Sequence, residues 1–185
     1  MAVLIRLAGE ADAAALAAIY RPFVEDSRVS FEETAPDAAE MAQRWRGERP
    51  GFHPWFVAEE AGRLLGYAAS SPFRSRPAYR WSVETGIYLA ADAQGRGLGR
   101  TLLERLLDLL ERQGYVAAIG AIALPNPASV ALHERLGFFH AGTYRGTGFK
   151  MGKWLDVGLW QKELAPRRLQ PVAPRPYAEV VAATG

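Results

Sequence analysis

The chain has 185 residues, of which 49% are hydrophobic, and its formal net charge is +2. A chain of this length can bury one hydrophobic core, and its basic residues are scattered rather than aligned, which argues against a nucleic-acid groove. Cysteine is absent, so a disulfide framework, a thiolate nucleophile and a thiolate metal site are excluded. The histidines do not stand at metal-ligand spacing, and we expect no metal.

We do not expect a membrane segment either. The longest apolar runs are too short and too interrupted to cross a bilayer. Residues 1–6 have a short strand pattern, without the basic region and long apolar core of a signal peptide. The chain is therefore expected to be cytoplasmic.

Strand and helix patterns alternate along the first half of the chain. Asp12 is placed to cap a first helix, and Asp37 with Glu40 has the capping-box spacing for a second. Pro22 is expected to end the first helix, and Pro50-Gly51 the second. The predicted elements are a strand at 3–7, helices after Asp12 and from Asp37, a loop at 28–34, and a hairpin of 55–58 and 64–71 around Gly62.

The second half is built around a central strand at 81–89. Its alternation directs Glu84, Gly86 and Tyr88 to one face of the sheet and the residues between them to the other. The apolar residues of the next helix lie opposite its charged residues, so it packs on the sheet. This apolar stripe consists of Leu98, Leu102, Leu106 and Leu109.

The remaining predicted elements are a buried strand at 116–122, a helix at 127–136 and a strand pair within 138–160. Residues 1–165 are thus expected to form a single α/β domain. The prolines and arginines of residues 166–185 predict an extended C-terminal tail.

The junction between the central strand and the next helix carries glycines at positions 95, 97 and 99. A helix start offers free backbone N–H groups and the positive end of the helix dipole to an anion such as pyrophosphate. A dinucleotide loop would need glycine in place of Arg100, and a nucleotide P-loop would need Gly-Lys-Ser/Thr. The glycine pattern alone fits either a pyrophosphate loop or a tight turn without a ligand.

Two segments together identify a family. Gln94-x-x-Gly97-x-Gly99 resembles the pyrophosphate loop of the GCN5-related N-acetyltransferases (GNAT), and residues 126–138 resemble the asparagine-to-Gly-Phe segment that follows it in that family. Further motifs resemble the phosphinothricin N-acetyltransferase and methionine sulfoximine acetyltransferase subfamily. These motifs contain Tyr79, Trp81, Glu84, Asn126, Lys150, Trp154, Asp156, Trp160 and Gln161. The resemblance covers nearly the whole chain and implies the GNAT fold, a mixed central sheet with splayed strands flanked by helices.

The resemblance implies catalytic roles for two residues. Glu84 is identified with the general base that takes the proton of the acceptor ammonium, directly or through water. His133 occupies a position where many GNAT members have a tyrosine acid, and its role as acid, second base or substrate contact stays open. Without the family motif, Glu84 could be a solvated surface carboxylate and His133 an ordinary packed histidine.

Acetyl-CoA is the implied co-substrate. The backbone of the strand end is expected to pair with the pantetheine arm and to polarise the thioester carbonyl, and the glycine loop to bind the pyrophosphate. Asn126 is expected to contact pantetheine, although it also suits a helix cap before Pro127. The expected cofactor-binding residues are Ile87, Tyr88, Leu89, Gln94, Gly95, Arg96, Gly97, Leu98, Gly99, Arg100 and Asn126.

The acceptor pocket is expected to be lined by Phe31, Arg76 and Tyr79. An arginine fork suits a carboxylate or phosphinate, although Arg76 could also be a solvated surface residue. The chain departs from well-known subfamily members at Arg80, where an acidic residue is common, and at Gly86, where a hydroxyl residue occurs. Both departures bear on the choice of acceptor.

The resemblance predicts an enzyme that acetylates the α-amino group of a small amino-acid-like acceptor by direct transfer in a ternary complex. The acceptors considered are phosphinothricin, methionine sulfoximine and methionine sulfone. Two other functions remain open at this point. One is a peptide or protein N-terminal acetyltransferase, and the other is an acyl-CoA-binding sensor without catalysis.

A homodimer is expected because the 138–160 segment has more aromatic residues than one sheet edge normally buries, and because related enzymes pair through this half of the fold. These aromatic residues are Phe138, Phe139, Tyr144, Phe149, Trp154 and Trp160.

Overall fold

A computed structural model of the chain describes residues 2–182. A seven-stranded sheet with strand order β1-β2-β3-β4-β5-β7-β6 forms its centre. The strands are β1 Leu4–Leu7, β2 Trp55–Glu60, β3 Arg63–Pro72, β4 Ser82–Leu89, β5 Ala117–Leu124, β6 Phe139–Lys150 and β7 Lys153–Glu163. The helices are α1 Ala13–Glu25, α2 Ala38–Arg46, α3 Leu98–Gln113, α4 Pro127–Arg135 and α5 Tyr177–Ala182. The predicted mixed α/β architecture is confirmed.

Two hydrophobic clusters cover the two faces of the sheet. The cluster with α1 and α2 includes Leu16 and Met41, together with Val57 and Tyr67 from the sheet. The other cluster includes Leu98, Leu102 and Leu106 of the α3 leucine stripe and reaches Phe138 next to α4. Leu102 and Leu106 of that stripe are fully buried, as their helical spacing predicts. The sheet is therefore covered by helices on both sides.

The first two helices differ from the prediction at their C-terminal ends. Helix α1 runs through Pro22 to Glu25, because the turn after the proline buries Val24 in the core. This packing outweighs the helix-breaking effect of proline. The predicted cap of α2 is confirmed, since the Asp37 carboxylate accepts a hydrogen bond from the Glu40 amide at 2.9 Å. That helix ends at Gly47, before the predicted stop, because Gly47 adopts a φ of 61°.

Strands β4 and β5 separate part of the way along their length. They run parallel, and only Ser82–Glu84 pairs with Ala117–Ile119. Beyond Glu84, β4 continues to pair with β3, and β5 continues to pair with β7. The facing edges of β4 and β5 therefore open from Glu84 towards the start of α3.

The C-terminal segment packs against the domain. The Trp81 indole donates a hydrogen bond to the Val172 carbonyl, and the Gln113 side chain donates to the Arg175 carbonyl at 2.8 Å. Residues 166–176, which contain prolines, lie outside helix and strand. The helix α5 was not predicted; it buries Val180.

Within the described residues, no helix is both long enough and apolar enough to cross a bilayer. The same part of the chain contains no group of histidine, aspartate or glutamate side chains placed to hold a metal ion.

Candidate active site

The glycine loop presents backbone rather than side chains at the start of α3. Gly97 is the residue before the helix and has a φ of 79°, a left-handed conformation that glycine adopts without strain. The guanidinium groups on either side of it are already paired, Arg96 with Glu60 at 3.0 Å and Arg100 with Glu104 at 2.8 Å. An anion at this helix start would therefore meet the free N–H groups of the first turn.

The open edge of β4 leads to this loop. Residues 85–89 have no partner on β5, so their backbone groups on that side are available to a ligand. At the end of β4, the Gln94 side-chain amide donates a hydrogen bond of 3.5 Å to the Leu89 carbonyl. The open strand edge and the glycine loop thus form one continuous run of exposed backbone.

Asn126 caps α4. Its side-chain oxygen accepts a hydrogen bond from the Ser129 amide at 3.1 Å, and Pro127 occupies the first helical position. Asn126 therefore acts as the helix cap that its position before Pro127 suggested. The same residue stands at the end of β5, across the opening from β4.

Glu84 lines a cavity of about 380 Å³ beneath α1 and α2, which we call the acceptor cavity. It is the last β4 residue to pair with β5, so its carboxylate lies where the two strands begin to separate. Burial raises the pKa of Glu84 above its ordinary value, against an opposing effect of the Arg74 charge. A half-buried carboxylate with a raised pKa is a stronger base than a solvated carboxylate.

The wall of the acceptor cavity contains a polar network that the sequence pattern did not identify. Tyr20 donates a hydrogen bond to Glu32 at 2.8 Å, and Arg44 donates two hydrogen bonds of 2.8 Å to the same carboxylate. Tyr20 also contacts the ring of Tyr88, with the centroids 4.8 Å apart. These residues come from α1, α2, β4 and the intervening loop, so the pattern within any one element could not reveal them.

His133 lies on the face of the sheet opposite Glu84. Glu84 is aligned with Ile119, so the next residue, Gly120, faces the other side. A β-carbon placed on Gly120 would lie 2.7 Å from His133 Nε2, which puts the imidazole directly against this glycine. Gly120 is the first β5 residue beyond the paired segment, so Glu84 and His133 flank the point of strand separation from opposite faces.

The hydrogen bonds of His133 indicate its protonation state. Its Nδ1 lies 2.8 Å from the Ser129 carbonyl, which can only accept, so Nδ1 carries the proton. Its Nε2 is buried without a hydrogen-bond partner among the described residues. Burial lowers the pKa of His133, so the imidazole is neutral and has a free lone pair at Nε2.

Phe31 does not line the acceptor cavity; its ring packs on β6. A β-carbon on Gly148 would lie 2.1 Å from the Phe31 ring, so the ring is in contact with the glycine backbone. The buried Lys150 ammonium donates to the carbonyls of Val24 and Ser30, and Arg28 donates to the Met151 carbonyl. The end of β6 therefore fixes the loop that carries Phe31.

Arg76 and Tyr79 lie apart from Glu84, in the loop between β3 and β4. They line a second cavity of about 380 Å³ that extends to Glu48 and Arg49, in the segment after α2. Tyr79 packs edge-on against Phe73, with the ring centroids 5.6 Å apart. The three residues expected to line the acceptor pocket are thus divided between two places in the fold.

The chain is similar to known acetyltransferases in sequence. The profile of the acetyltransferase (GNAT) family matches residues 16–138. The phosphinothricin N-acetyltransferase of Streptomyces viridochromogenes is 40% identical over 96% of this chain and 94% of its own length. The L-methionine sulfoximine/L-methionine sulfone acetyltransferase of Pseudomonas aeruginosa is 36% identical over 92% of this chain and all of its own.

A solved structure extends the comparison to the fold. The GNAT superfamily phosphinothricin acetyltransferase of Sinorhizobium meliloti, solved in complex with acetyl-CoA, matches with a TM-score of 0.88 and 39% identity. The match covers 93% of this chain and 94% of that one. The splayed sheet, the glycine loop and these similarities lead to one conclusion: the chain belongs to the GNAT family and is an acetyl-CoA-dependent N-acetyltransferase.

Proposed function

We propose that the enzyme acetylates the α-amino group of a small amino-acid-like acceptor by direct transfer in a ternary complex. The observation that carries the proposal is the position of Glu84, which lines a small cavity at the point where β4 and β5 separate. An acceptor in this cavity would meet the base on one side and the open strand edge on the other. The absence of cysteine supports direct transfer, since no thiol is available to carry the acetyl group.

The mechanism begins with the loss of one proton from the acceptor ammonium to the Glu84 carboxylate. The free amine then attacks the thioester carbonyl, whose oxygen accepts a hydrogen bond from a backbone amide of the open β4 edge. Collapse of the tetrahedral intermediate breaks the carbon–sulfur bond and releases the CoA thiolate.

We assign His133 to the second proton, which leaves the nitrogen as the intermediate collapses. A neutral imidazole with a free Nε2 can accept this proton and return it to the thiolate. The position of Gly120 at the start of the strand opening supports this role. The assignment leaves the two side chains on opposite faces of the sheet, beside the point where β4 and β5 separate.

The similar proteins favour phosphinothricin, methionine sulfoximine and methionine sulfone as the acceptors to test first. The acceptor cavity, at about 380 Å³, suits a free amino acid better than a peptide or protein N-terminus. The buried base argues against a sensor without catalysis. Acetyl-CoA as co-substrate supports a cytoplasmic place of action.

The experiment that tests the proposal is a thiol-release assay with acetyl-CoA and a panel of acceptors. The panel contains the three amino acids above, the common free amino acids and a short peptide with a free N-terminus. We expect release with one or more free amino acids and N-acetylated product by mass spectrometry. Release with the peptide alone would overturn the proposal in favour of an N-terminal acetyltransferase.

The contact between Phe31 and Gly148 gives a prediction for the acceptor. In Gly148→Ala the added carbon occupies the position of the ring, so the loop that carries Phe31 must move. If Phe31 contacts the acceptor, the acceptor KM rises about tenfold, as expected for the loss of one apolar contact, and the acetyl-CoA KM does not change.

Gly142→Ala is the matched control for this variant. Gly142 lies on the same strand, and a β-carbon there would have no atom within 4 Å. Steady-state kinetics of the two variants decide the point. An unchanged acceptor KM in Gly148→Ala would exclude a contact between Phe31 and the acceptor.

We further propose that two copies associate through the outer face of β6 and β7. Large aromatic side chains are exposed there, with Trp154 at 69% and Phe149 at 56% exposure. Phe138 and Trp160, by contrast, are buried within the chain. Light scattering at micromolar concentration should give the mass of two chains for the natural protein and of one chain for Trp154→Glu. A natural protein with the mass of one chain at all concentrations would exclude the dimer.

A further inference from the structure

The acceptor cavity lies over three rows of residues on the sheet. Each row is one cross-strand pair of β3 and β4, and every member of the three pairs lines the cavity. Alternate residues of a strand point to the same face, so the three rows share the face that α1 and α2 cover. The pairs are Ser71 with Glu84, Ala69 with Gly86, and Tyr67 with Tyr88. The first row is polar, the middle row is small and the third row is aromatic, so the cavity is a depression between a polar end and an aromatic end.

Ser71 is the residue directly opposite Glu84 at the polar end. In an antiparallel pair the β-carbons of opposite residues are about 5 Å apart, so the two side chains reach the same part of the cavity. Ser71 is exposed at the cavity, and its hydroxyl has no hydrogen-bond partner within residues 2–182. The hydroxyl of the adjacent Ser70, in contrast, donates to the Pro54 carbonyl at 2.9 Å. A ligand beside Glu84 can therefore hydrogen-bond to Ser71 in place of water.

Three other neighbours of Glu84 have no side-chain group that accepts a hydrogen bond from an amine. On β5, Glu84 is aligned with Ile119, whose side chain is apolar. Towards the strand opening, the next residue on the same face of β4 is Gly86, which has no side chain. The charge of Arg74 acts on the Glu84 carboxylate, but a guanidinium has only donors. Of these four neighbours, Ser71 is the one that can share an amine with Glu84.

Transfer of the first proton changes what holds the amine in place. Before the transfer, the acceptor ammonium and the Glu84 carboxylate form an ion pair. After the transfer both groups are neutral, so this attraction is lost. The amine still has two N–H donors, and a serine hydroxyl oxygen can accept one of them. A hydrogen bond to Ser71 would keep the nitrogen beside the open edge of β4 until it attacks the thioester.

We propose that Ser71 is a second ligand of the acceptor amine, and that its hydroxyl oxygen accepts an N–H hydrogen bond while Glu84 takes the proton. This inference rests on the proposed function, which locates the amine at Glu84. It makes Ser71 a residue that contacts the acceptor, and it builds the amine site from two side chains on adjacent strands.

The kinetic test uses Ser71→Ala, which removes the hydroxyl and keeps the β-carbon. The KM for methionine sulfone should rise about tenfold, as expected for the loss of a hydrogen bond to a charged group, and the acetyl-CoA KM should not change. Ser71→Thr keeps the hydroxyl, so its KM for methionine sulfone should stay within about threefold of the natural value. Thr147→Val is the control, because it removes an exposed hydroxyl from β6, outside the acceptor cavity.

A binding measurement does not depend on turnover. Methionine sulfone and its analogue without the amino group are titrated by calorimetry into the enzyme saturated with CoA. Ser71→Ala should weaken the binding of methionine sulfone about tenfold and leave the binding of the analogue unchanged, because only the amine contacts Ser71. If this result is obtained while no acceptor is acetylated, the assignment of Ser71 stands and the proposed reaction fails.

Three results would overturn the assignment of Ser71. The first is an effect of Ser71→Ala that is equal for methionine sulfone and its analogue, or no effect on either. The second is a natural enzyme that binds the two ligands with equal affinity or binds neither, since the amine would then contribute nothing. The third is a rise of KM in Ser71→Thr as large as that in Ser71→Ala, because the shape of the side chain and not its hydroxyl would then account for the change.

Discussion

Glu84→Gln is expected to lower kcat by about 10²- to 10⁴-fold, the contribution of a positioned general base. Glutamine keeps the shape of the side chain but cannot accept the ammonium proton. The acetyl-CoA KM should stay near that of the natural enzyme, because the glycine loop and the open edge of β4 are not altered. Steady-state kinetics at saturating acceptor measure both quantities.

Glu111→Gln provides the control for this experiment. Glu111 is exposed on α3, and its substitution changes the net charge by the same amount as Glu84→Gln. The kcat of the Glu111→Gln variant should therefore equal that of the natural enzyme. Near-natural turnover in Glu84→Gln would remove Glu84 from the mechanism. Equal loss in both variants would point to an effect of net charge.

Gly97→Val is expected to weaken acetyl-CoA binding about 10- to 100-fold, the equivalent of one or two charged hydrogen bonds. The side chain has room in the unliganded protein, since no atom lies within 4 Å of the added β-carbon. The valine side chain would cover the backbone N–H groups at the start of α3, where the pyrophosphate is expected to bind. A thioester of pantetheine, which lacks the pyrophosphate, should be affected much less.

Backbone strain must be separated from the loss of this binding site. Gly152, in the turn between β6 and β7, has a φ of 72° and also has no atom within 4 Å of an added β-carbon. Gly152→Val therefore introduces similar strain far from α3, and its acetyl-CoA KM should not change. If Gly97→Val impaired the pantetheine thioester as strongly as acetyl-CoA, the loop would not be the pyrophosphate site.

Local patterns predicted most of the fold. The leucine stripe of α3, the cap at Asp37 and the alternation around Glu84 each depend on neighbouring residues, and the structure contains all three. The predicted end of α1 near Pro22 was wrong. Tertiary packing buries Val24, and this burial outweighs the helix-breaking effect of Pro22. The helix α5 was missed because its position depends on contacts with residues distant in the sequence.

The candidate site was predicted less completely than the fold. Family motifs pointed to Glu84 and the glycine loop, which lie on consecutive elements. The network of Tyr20, Glu32 and Arg44 joins separate elements, and no short motif marks it. Likewise, only the folded chain brings Arg49 to the loop that carries Arg76 and Tyr79.

The pH dependence of kcat/KM for the acceptor tests the central claim, that a half-buried Glu84 takes the acceptor proton. The raised pKa of Glu84 means that the carboxylate becomes protonated at a pH above 4.5, its ordinary pKa. Protonated Glu84 cannot act as a base, so kcat/KM should fall as the pH drops through that raised pKa. We predict an acidic limb with its midpoint above 4.5 in the natural enzyme and no such limb in Glu84→Gln. The same limb in both enzymes, or a midpoint at or below 4.5, would contradict the account.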